Sequence, residues 1–203
     1  MSKANKSNKA IKYRLYPNDE QKVMFAKTFG CCRFVYNQLL ALQKQRYKDG
    51  ESHISKLKSN EFATRTLKKD YDFLKEIDKF AVSNAVFHLA DAYDRFFKKQ
   101  NHFPKFKSKR KSKKSYTTNF TNNNILIGKN VIKLPKVGMV KAVIHKLPKD
   151  DWKLKSVTVS QDGVGNYFAS VLFEYEQEDI PSVSKSSTNA IGLDYKSDGL
   201  YMD

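Results

Sequence analysis

The 203-residue sequence has little cysteine and no long apolar run. Its two cysteines, Cys31 and Cys32, are neighbours in the chain, so neither a disulfide framework nor a cysteine zinc site can be built from them. No apolar stretch approaches the roughly 18 residues of a membrane-spanning helix, and no signal-peptide core is present. The four histidines are scattered without ligand spacing. We therefore expect a cytoplasmic protein with no membrane partner, no zinc and no small-molecule substrate.

Acidic residues are missing from one part of the chain, residues 95–115, which we call the basic segment. Its sequence, RFFKKQNHFPKFKSKRKSKKS, holds ten Lys or Arg and no Asp or Glu. Like charges at this density repel one another, and a polyanion would relieve the repulsion. The interleaved phenylalanines can stack on bases or anchor the segment to a core. They are Phe96, Phe97, Phe103 and Phe106. A solvated basic linker or a localisation signal is the alternative.

The charge of the whole chain agrees with a nucleic-acid partner, since 38 Lys plus Arg against 21 Asp plus Glu give a formal net charge of +17. Arg33 and Asn37 are four residues apart and share one helix face, although a hydrogen bond within the helical lobe would explain them equally well. The residues that we predict to bind nucleic acid are Lys12, Arg14, Arg33, Asn37, Lys98, Lys99, Lys105, Lys107, Lys109, Arg110, Lys111, Lys113 and Lys114.

The first half of the chain shows one strand pattern followed by helical patterns. Residues 11–15 alternate apolar and basic, which predicts a strand. Asn18 and Gln21 form a capping-box pattern that opens a helix over about 19–29. Gly30 is predicted to break it, and a second helix is predicted from Cys31 to a stop at Gly50, a helix-turn-helix-like arrangement. Further helices are predicted over 60–69 and 79–99, the latter capped by Asp78.

The second half of the chain changes to strand periodicity. Strands are predicted over 125–127, 131–134, 139–146, 153–160 and 167–175, with a bulge at Ser156 and a turn at Asp162 and Gly163. One early strand, a helical block and then five strands suggest an α+β protein in which the block is inserted into a small β-barrel. Such barrels commonly bind oligonucleotides.

The last 14 residues, AIGLDYKSDGLYMD, predict a strand that ends near Asp194, a tight turn and a returning strand. An RNase-H-like nuclease places its first metal-binding aspartate in this way, and two Mg²⁺ ions held by several carboxylates can then act on a phosphodiester. An aspartate that merely caps a turn is the structural alternative.

Six motifs occur in order: KYRLYPNDEQ, FGCCRFVYN, FPKFKSKRK, IKLPKVGMVK, SVTVSQDGVGNYFASVLFE and IGLDY. Together they resemble the TnpB-type (OrfB-type) transposases of insertion sequences, which are relatives of type V CRISPR effectors. The resemblance covers about residues 9–203. It implies a transposon-encoded, Mg²⁺-dependent DNA endonuclease that binds a guide RNA and double-stranded DNA, with Asp194 as the first RuvC-like catalytic carboxylate and metal ligand.

The polar first ten residues and the Ser-rich stretch PSVSKSSTN, together with the resemblance, predict a division of the chain into domains. We expect a flexible tail over 1–10, the first strand of a wedge-type, OB-like barrel over 11–17, and a helical recognition lobe over 18–103. The rest of the barrel is expected over 104–180, a linker over 181–189 and the start of a RuvC-like domain over 190–203.

Two departures from the family pattern concern the nuclease part. Tyr195 and Lys196 follow Asp194 where the family usually has Leu and Gly. The family's remaining catalytic carboxylates and its zinc ribbon lie beyond the position of Asp203. We therefore expect an N-terminal fragment or a truncated reading frame that holds no Mg²⁺ and does not cut DNA alone. A non-catalytic nucleic-acid-binding module or repressor is the alternative, and a ribosomal-protein-like binder a more distant one.

Overall fold

The computed structural model describes residues 5–177, 193–196 and 199–202. The chain divides into a large unit, Ser7–Tyr175, and a small unit that contains the hairpin near the C-terminus. The helices are α1 (Asp19–Lys48), α2 (Lys56–Glu61), α3 (Lys68–Asp70) and α4 (Lys79–Phe97). The strands are β1 (Asn5–Tyr16), β2 (Lys114–Asn119), β3 (Leu126–Ile127), β4 (Val131–Leu134), β5 (Gly138–Val143), β6 (Lys153–Gln161), β7 (Tyr167–Gln177), β8 (Leu193–Lys196) and β9 (Gly199–Met202).

Strand β1 lies near the middle of a seven-stranded sheet whose order is β2-β6-β7-β1-β5-β4-β3. All the described helices therefore lie in the chain between β1 and the other strands of its sheet, as expected for an inserted helical block. Within the described part of the large unit, no pairing joins the edge strands β2 and β3. The α+β class is confirmed, whereas the OB-like barrel is not.

The alternation in β1 produces a core face and an outer face. Ile11, Tyr13 and Leu15 are buried, as predicted from their spacing. The strand begins at Asn5, however, so residues 5–10 are extended strand rather than the expected tail. A polar sequence can extend a strand, because the hydrogen bonds between strands are made by the backbone and do not require apolar side chains.

Helix α1 is a single helix of 30 residues, so the predicted break at Gly30 is wrong. Glycine weakens a helix by about 1 kcal/mol relative to alanine, but it does not end one without a cap or a left-handed residue. Phe29 and Cys31 on either side of Gly30 are buried, and this burial holds the helix together. The predicted ends are correct. The Asn18–Gln21 capping box forms, and Gly50 adopts a φ of +72° just after the helix.

Helix α4 confirms the strongest of the helix predictions. Asp78 caps its first turn by accepting a hydrogen bond from the Ala81 N–H, and Val82, Leu89 and Tyr93 are buried along one face. The segment between α1 and α4 is helical over α2 and α3, with a π-helical turn at Phe62–Leu67 between them. This corresponds to the helix predicted over 60–69.

The five predicted strands of the second half are present as β3 to β7, and the register of β6 against β7 shifts between Leu154 and Ser156, as a bulge requires. Strand β2 was not predicted. Its sequence KSYTTN is polar, yet Tyr116 and Thr118 alternate into the core.

The predicted C-terminal hairpin is confirmed for the backbone. β8 and β9 pair antiparallel, with Asp194 opposite Tyr201. The Asp194 side chain and the linker predicted over 181–189 lie outside the part of the chain that the structure describes.

Candidate nucleic-acid interface

At the start of the basic segment, helix α4 ends in a tight, hydrogen-bonded turn. The N–H groups of Lys99 and Gln100 donate to the carbonyls of Phe96 and Arg95, which is the pairing of a Schellman motif. Lys99 has a φ of 57°, in the left-handed region that usually holds glycine. Lys98 and Lys99 are exposed there. The chain thus turns sharply while keeping two positive charges at the turn.

Asn37 of α1 holds the middle of the basic segment. Its side-chain amide donates to the Lys107 carbonyl at 2.9 Å, and its Oδ1 accepts from the Lys107 N–H at 2.8 Å. Both hydrogen bonds are partly buried. The structure therefore favours the alternative given above, a hydrogen bond within the helical lobe, and a direct contact of Asn37 with nucleic acid stays a prediction.

Aromatic packing fixes the part of the basic segment before Lys107. The ring of Phe103 meets Tyr93 and Phe96 edge-on, at centroid distances of 5.6 and 5.2 Å, and Pro104 is buried. Phe103 itself keeps 40% of its surface exposed, and Phe97 and Phe106 are more exposed, at 61% and 52%. Of the two roles considered for the phenylalanines, Phe103 has the anchoring role.

The part after Lys107 forms a closed turn. Ser112 donates its N–H to the Ser108 carbonyl at 3.2 Å, and the two serine hydroxyls accept backbone N–H groups of Lys111 and Ser108. This turn places its charged side chains outward. The exposed cations of the segment beyond α4 are Lys98, Lys99, Lys105, Lys109, Arg110, Lys111, Lys113 and Lys114.

Acidic side chains compensate lysines elsewhere but not in the basic segment. Among the described residues, ion pairs are formed by Lys22, Lys27, Arg46, Lys56, Arg65, Lys75 and Lys155, and none of these belongs to the basic segment. Lys114, at the start of β2, donates to the Gln161 side chain at 3.1 Å, which is a neutral partner. The positive charge of the segment is thus uncompensated within the described structure.

A small pocket of about 40 Å³ brings together residues that the sequence places far apart. Arg33 of α1 lines it together with Lys107, Lys113 and Lys114, and no lining residue is acidic. Burial lowers the pKa of Lys107, and burial together with the Lys107 charge lowers the pKa of His88 on another side of the pocket. Predicted site residues from α1, the segment and β2 therefore converge on one anion-sized, positively charged depression.

Lys12 and Arg14 belong to a second positively charged region on β1, which we call the Arg14 patch. Both cations lie over the ring of Phe168, at 4.2 and 5.1 Å from its centroid. Arg14 also lies over Tyr16 and donates to the Asn166 side chain. These two predicted residues thus find their partners on β1 and β7 and in the turn before β7.

Lys44 was not among the predicted site residues. Its ammonium lies 4.8 Å from the centroid of the Phe106 ring and 5.5 Å from that of Phe103, so it adds a charge beside the segment. Its position seven residues after Asn37, on the same helix face, is a signal that could have revealed it.

Neither cysteine brings charge to the interface, although Cys32 lines the small pocket. Burial raises the pKa of the Cys31 thiol to about 11 and that of Cys32 to about 12. Both stay protonated at neutral pH and act as small core residues. No helix of the described residues is long and apolar enough to cross a bilayer.

Fold and surface together define an α+β protein with a fixed, uncompensated cationic surface. The family model described as a helix-turn-helix domain (HTH_OrfB_IS605) matches residues 7–52, which here are mostly β1 and the uninterrupted α1. The chain is 30% identical over 188 residues to a Streptomyces pristinaespiralis protein named "Putative RNA-guided DNA endonuclease", covering 92% of this chain and 45% of that protein. It is 29% identical over 192 residues to an Escherichia coli K12 relative of the same name, InsQ, covering 91% and 44%.

A shorter relative matches part of the chain. The Salmonella dublin protein named Virulence protein VsdF is 32% identical over 111 residues, which is 50% of this chain and 93% of that protein. The chain belongs to the TnpB-type (OrfB-type) family of insertion-sequence proteins. It spans about half the length of the two endonuclease-named relatives.

Proposed function

We propose that this chain is the nucleic-acid-binding part of a transposon-encoded, RNA-guided DNA endonuclease, and that it binds guide RNA and double-stranded target DNA mainly through their phosphates. One observation carries the proposal: the basic segment is fixed by Asn37 and Phe103, yet its exposed cations have no acidic partner among the described residues. A segment that is ordered in this way can bind phosphates without first losing much conformational freedom.

The names of the relatives support the nucleic-acid class of partner, and the convergence of Arg33, Lys107 and Lys113 supports phosphate as the group bound. Arginine and lysine at such a site contact the backbone and position it, without reading sequence. Base pairing of the guide would then supply the specificity, as in other RNA-guided systems.

Cleavage would require Mg²⁺ held by several carboxylates. Among the residues whose side chains the structure describes, no three His, Cys, Asp or Glu lie close enough together to hold a metal ion. For Asp194, the structure describes only the backbone, which lies on β8. The described residues therefore do not fit a two-metal site, and we derive no catalytic step from them.

The test is the salt dependence of binding to duplex DNA and to RNA, measured by fluorescence anisotropy. Replacing Lys109, Arg110, Lys111 and Lys113 by Gln should flatten the plot of log affinity against log salt for duplex DNA by about 3 to 4 units, because each phosphate contact contributes about 0.9.

A matched variant controls for net charge. Lys22, Lys27, Lys56 and Lys75 are each paired with an acidic side chain. Replacing these four by Gln removes the same charge and should leave the slope nearly unchanged. Equal slopes in the wild type and the segment variant, or equal flattening in both variants, would show that the segment is only a solvated linker.

A further inference from the structure

An aromatic pocket of about 660 Å³ lies where the ends of α1 and α4 meet the basic segment. Most of its lining is aromatic, contributed by Tyr47, His53, Tyr93, Phe96, Phe97 and Phe103. Its volume is within the range of ordinary ligand sites. Phe103, Tyr93 and Phe96 anchor the basic segment as described above, and the other rings have no role in the cation surface.

Some rings of the pocket are packed against one another, and others are exposed to solvent. Tyr93 is buried, and Phe103 packs edge-on against it, so this part of the pocket is rigid. Phe97 is 61% exposed and Tyr47 is 85% exposed. Aromatic surface of this extent next to a rigid apolar floor is typical of a binding site.

The rim of the pocket is positively charged. Lys44 and Lys48 line it, and Lys98 and Lys99 follow Phe97 directly in the chain. The acidic lining residue, Glu51, is ion-paired with Arg46. Flat aromatic walls beside a cationic rim complement an occupant that is flat, aromatic and attached to negative charge.

We propose that the aromatic pocket binds an unpaired nucleobase of a single-stranded nucleic acid, with the adjoining phosphates on the Lys44 and Lys48 side. The occupant is a single strand because bases inside a duplex are stacked and cannot enter a pocket. Exposed aromatic rings give such a base a stacking partner without selecting its identity. The proposal rests on the proposed function, since it assumes that the basic segment holds the strand nearby.

The test compares a single-stranded DNA oligonucleotide of about 12 nucleotides with the duplex of the same sequence. Tyr47→Ala should weaken binding of the single strand by about 5- to 100-fold, because alanine substitution removes the stacking on one base. Tyr47→Phe should bind within about twofold of the wild type, since it keeps the ring. Duplex affinity and the salt slope should not change, because the ring carries no charge.

Two further variants complete the test. Phe97→Ala removes a second exposed ring of the lining and should weaken single-strand binding in the same way. Leu57→Ala is the control, because Leu57 is 82% exposed and lies on α2, outside the pocket.

Equal single-strand affinity in the wild type, Tyr47→Ala and Phe97→Ala would overturn the base pocket while leaving the proposed function standing. An equal loss for duplex and single strand in Tyr47→Ala would also overturn it. A wild-type protein that binds neither probe would overturn both proposals.

Discussion

The basic segment and the Arg14 patch are both positively charged, but they differ in what the charge contacts. In the patch, Lys12 and Arg14 lie over the Phe168 ring, and Arg14 donates to Asn166, so these cations already have partners inside the fold. In the basic segment, Lys109 and Arg110 extend outward from a closed turn. Positive charge alone therefore does not identify a binding residue, and the internal partners of each cation decide its role.

The largest effect is expected from Asn37→Ala, which tests whether the segment must be anchored. Two partly buried hydrogen bonds are lost, which should cost about 2 kcal/mol of stability and lower the melting temperature by about 4–8 °C. Nucleic-acid affinity should also fall, because the freed segment must be ordered on binding. The measurements are thermal unfolding and anisotropy.

Gln38→Ala is the matched control for that variant, since Gln38 is the next residue of α1 and also half-buried. Unfolding and binding curves of Asn37→Ala that coincide with those of Gln38→Ala would mean that the segment is not held by Asn37.

Arg14→Met should affect stability more than binding. Methionine keeps a long apolar side chain but loses the cation–π contacts and the hydrogen bond to Asn166, a cost of about 1 kcal/mol. The buried Nε of Arg14 has no hydrogen-bond partner, which limits the loss. The salt slope should be unchanged, and a slope flattened by about one unit would place Arg14 on a phosphate and remove the contrast between the two regions.

A stability effect no larger than that of Arg14→Met is expected at the ends of the two long helices. Both ends are Schellman motifs, with Gly50 after α1 and Lys99 after α4 in the left-handed position. Lys99→Gly should stabilise the protein by about 1 kcal/mol and flatten the salt slope by at most about one unit.

The reverse change provides the control for Lys99→Gly. A Cβ at position 50 would contact no described residue other than its chain neighbours, so Gly50→Lys should cost about 1 kcal/mol through backbone conformation alone. Both values can be measured by chemical denaturation. Equal stability of all three proteins would show that Lys99 carries no conformational cost.

Local periodicity predicted the elements whose burial repeats along the chain. The spacing of Val82, Leu89 and Tyr93 predicted α4, and the alternation around Tyr13 predicted β1. The break at Gly30 was wrong because the packing of both flanks outweighed a weak local preference.

Contacts between distant residues could not be predicted in the same way. Thr118 occupies a core position because its hydroxyl donates to Asp78 at 2.6 Å. A polar strand sequence does not indicate a partner 40 residues away. The anchoring role of Asn37 likewise depends on Lys107, 70 residues later. The sequence therefore predicted which residues are charged, whereas only the fold shows which of them are free of internal partners.

The insertion of the helices after β1 has a consequence for proteolysis. Trypsin cleaves after exposed Lys and Arg, and the exposed cations of the turn at Lys109–Lys111 make it a target. The two pieces should nevertheless stay associated, because β1 of the first piece lies between β7 and β5 of the second, and Asp78 remains bonded to Thr118 across the cut. Bound nucleic acid should shield the turn from trypsin. The rate of cleavage would then report how much of the basic segment is occupied, while the two pieces of the protein stay associated.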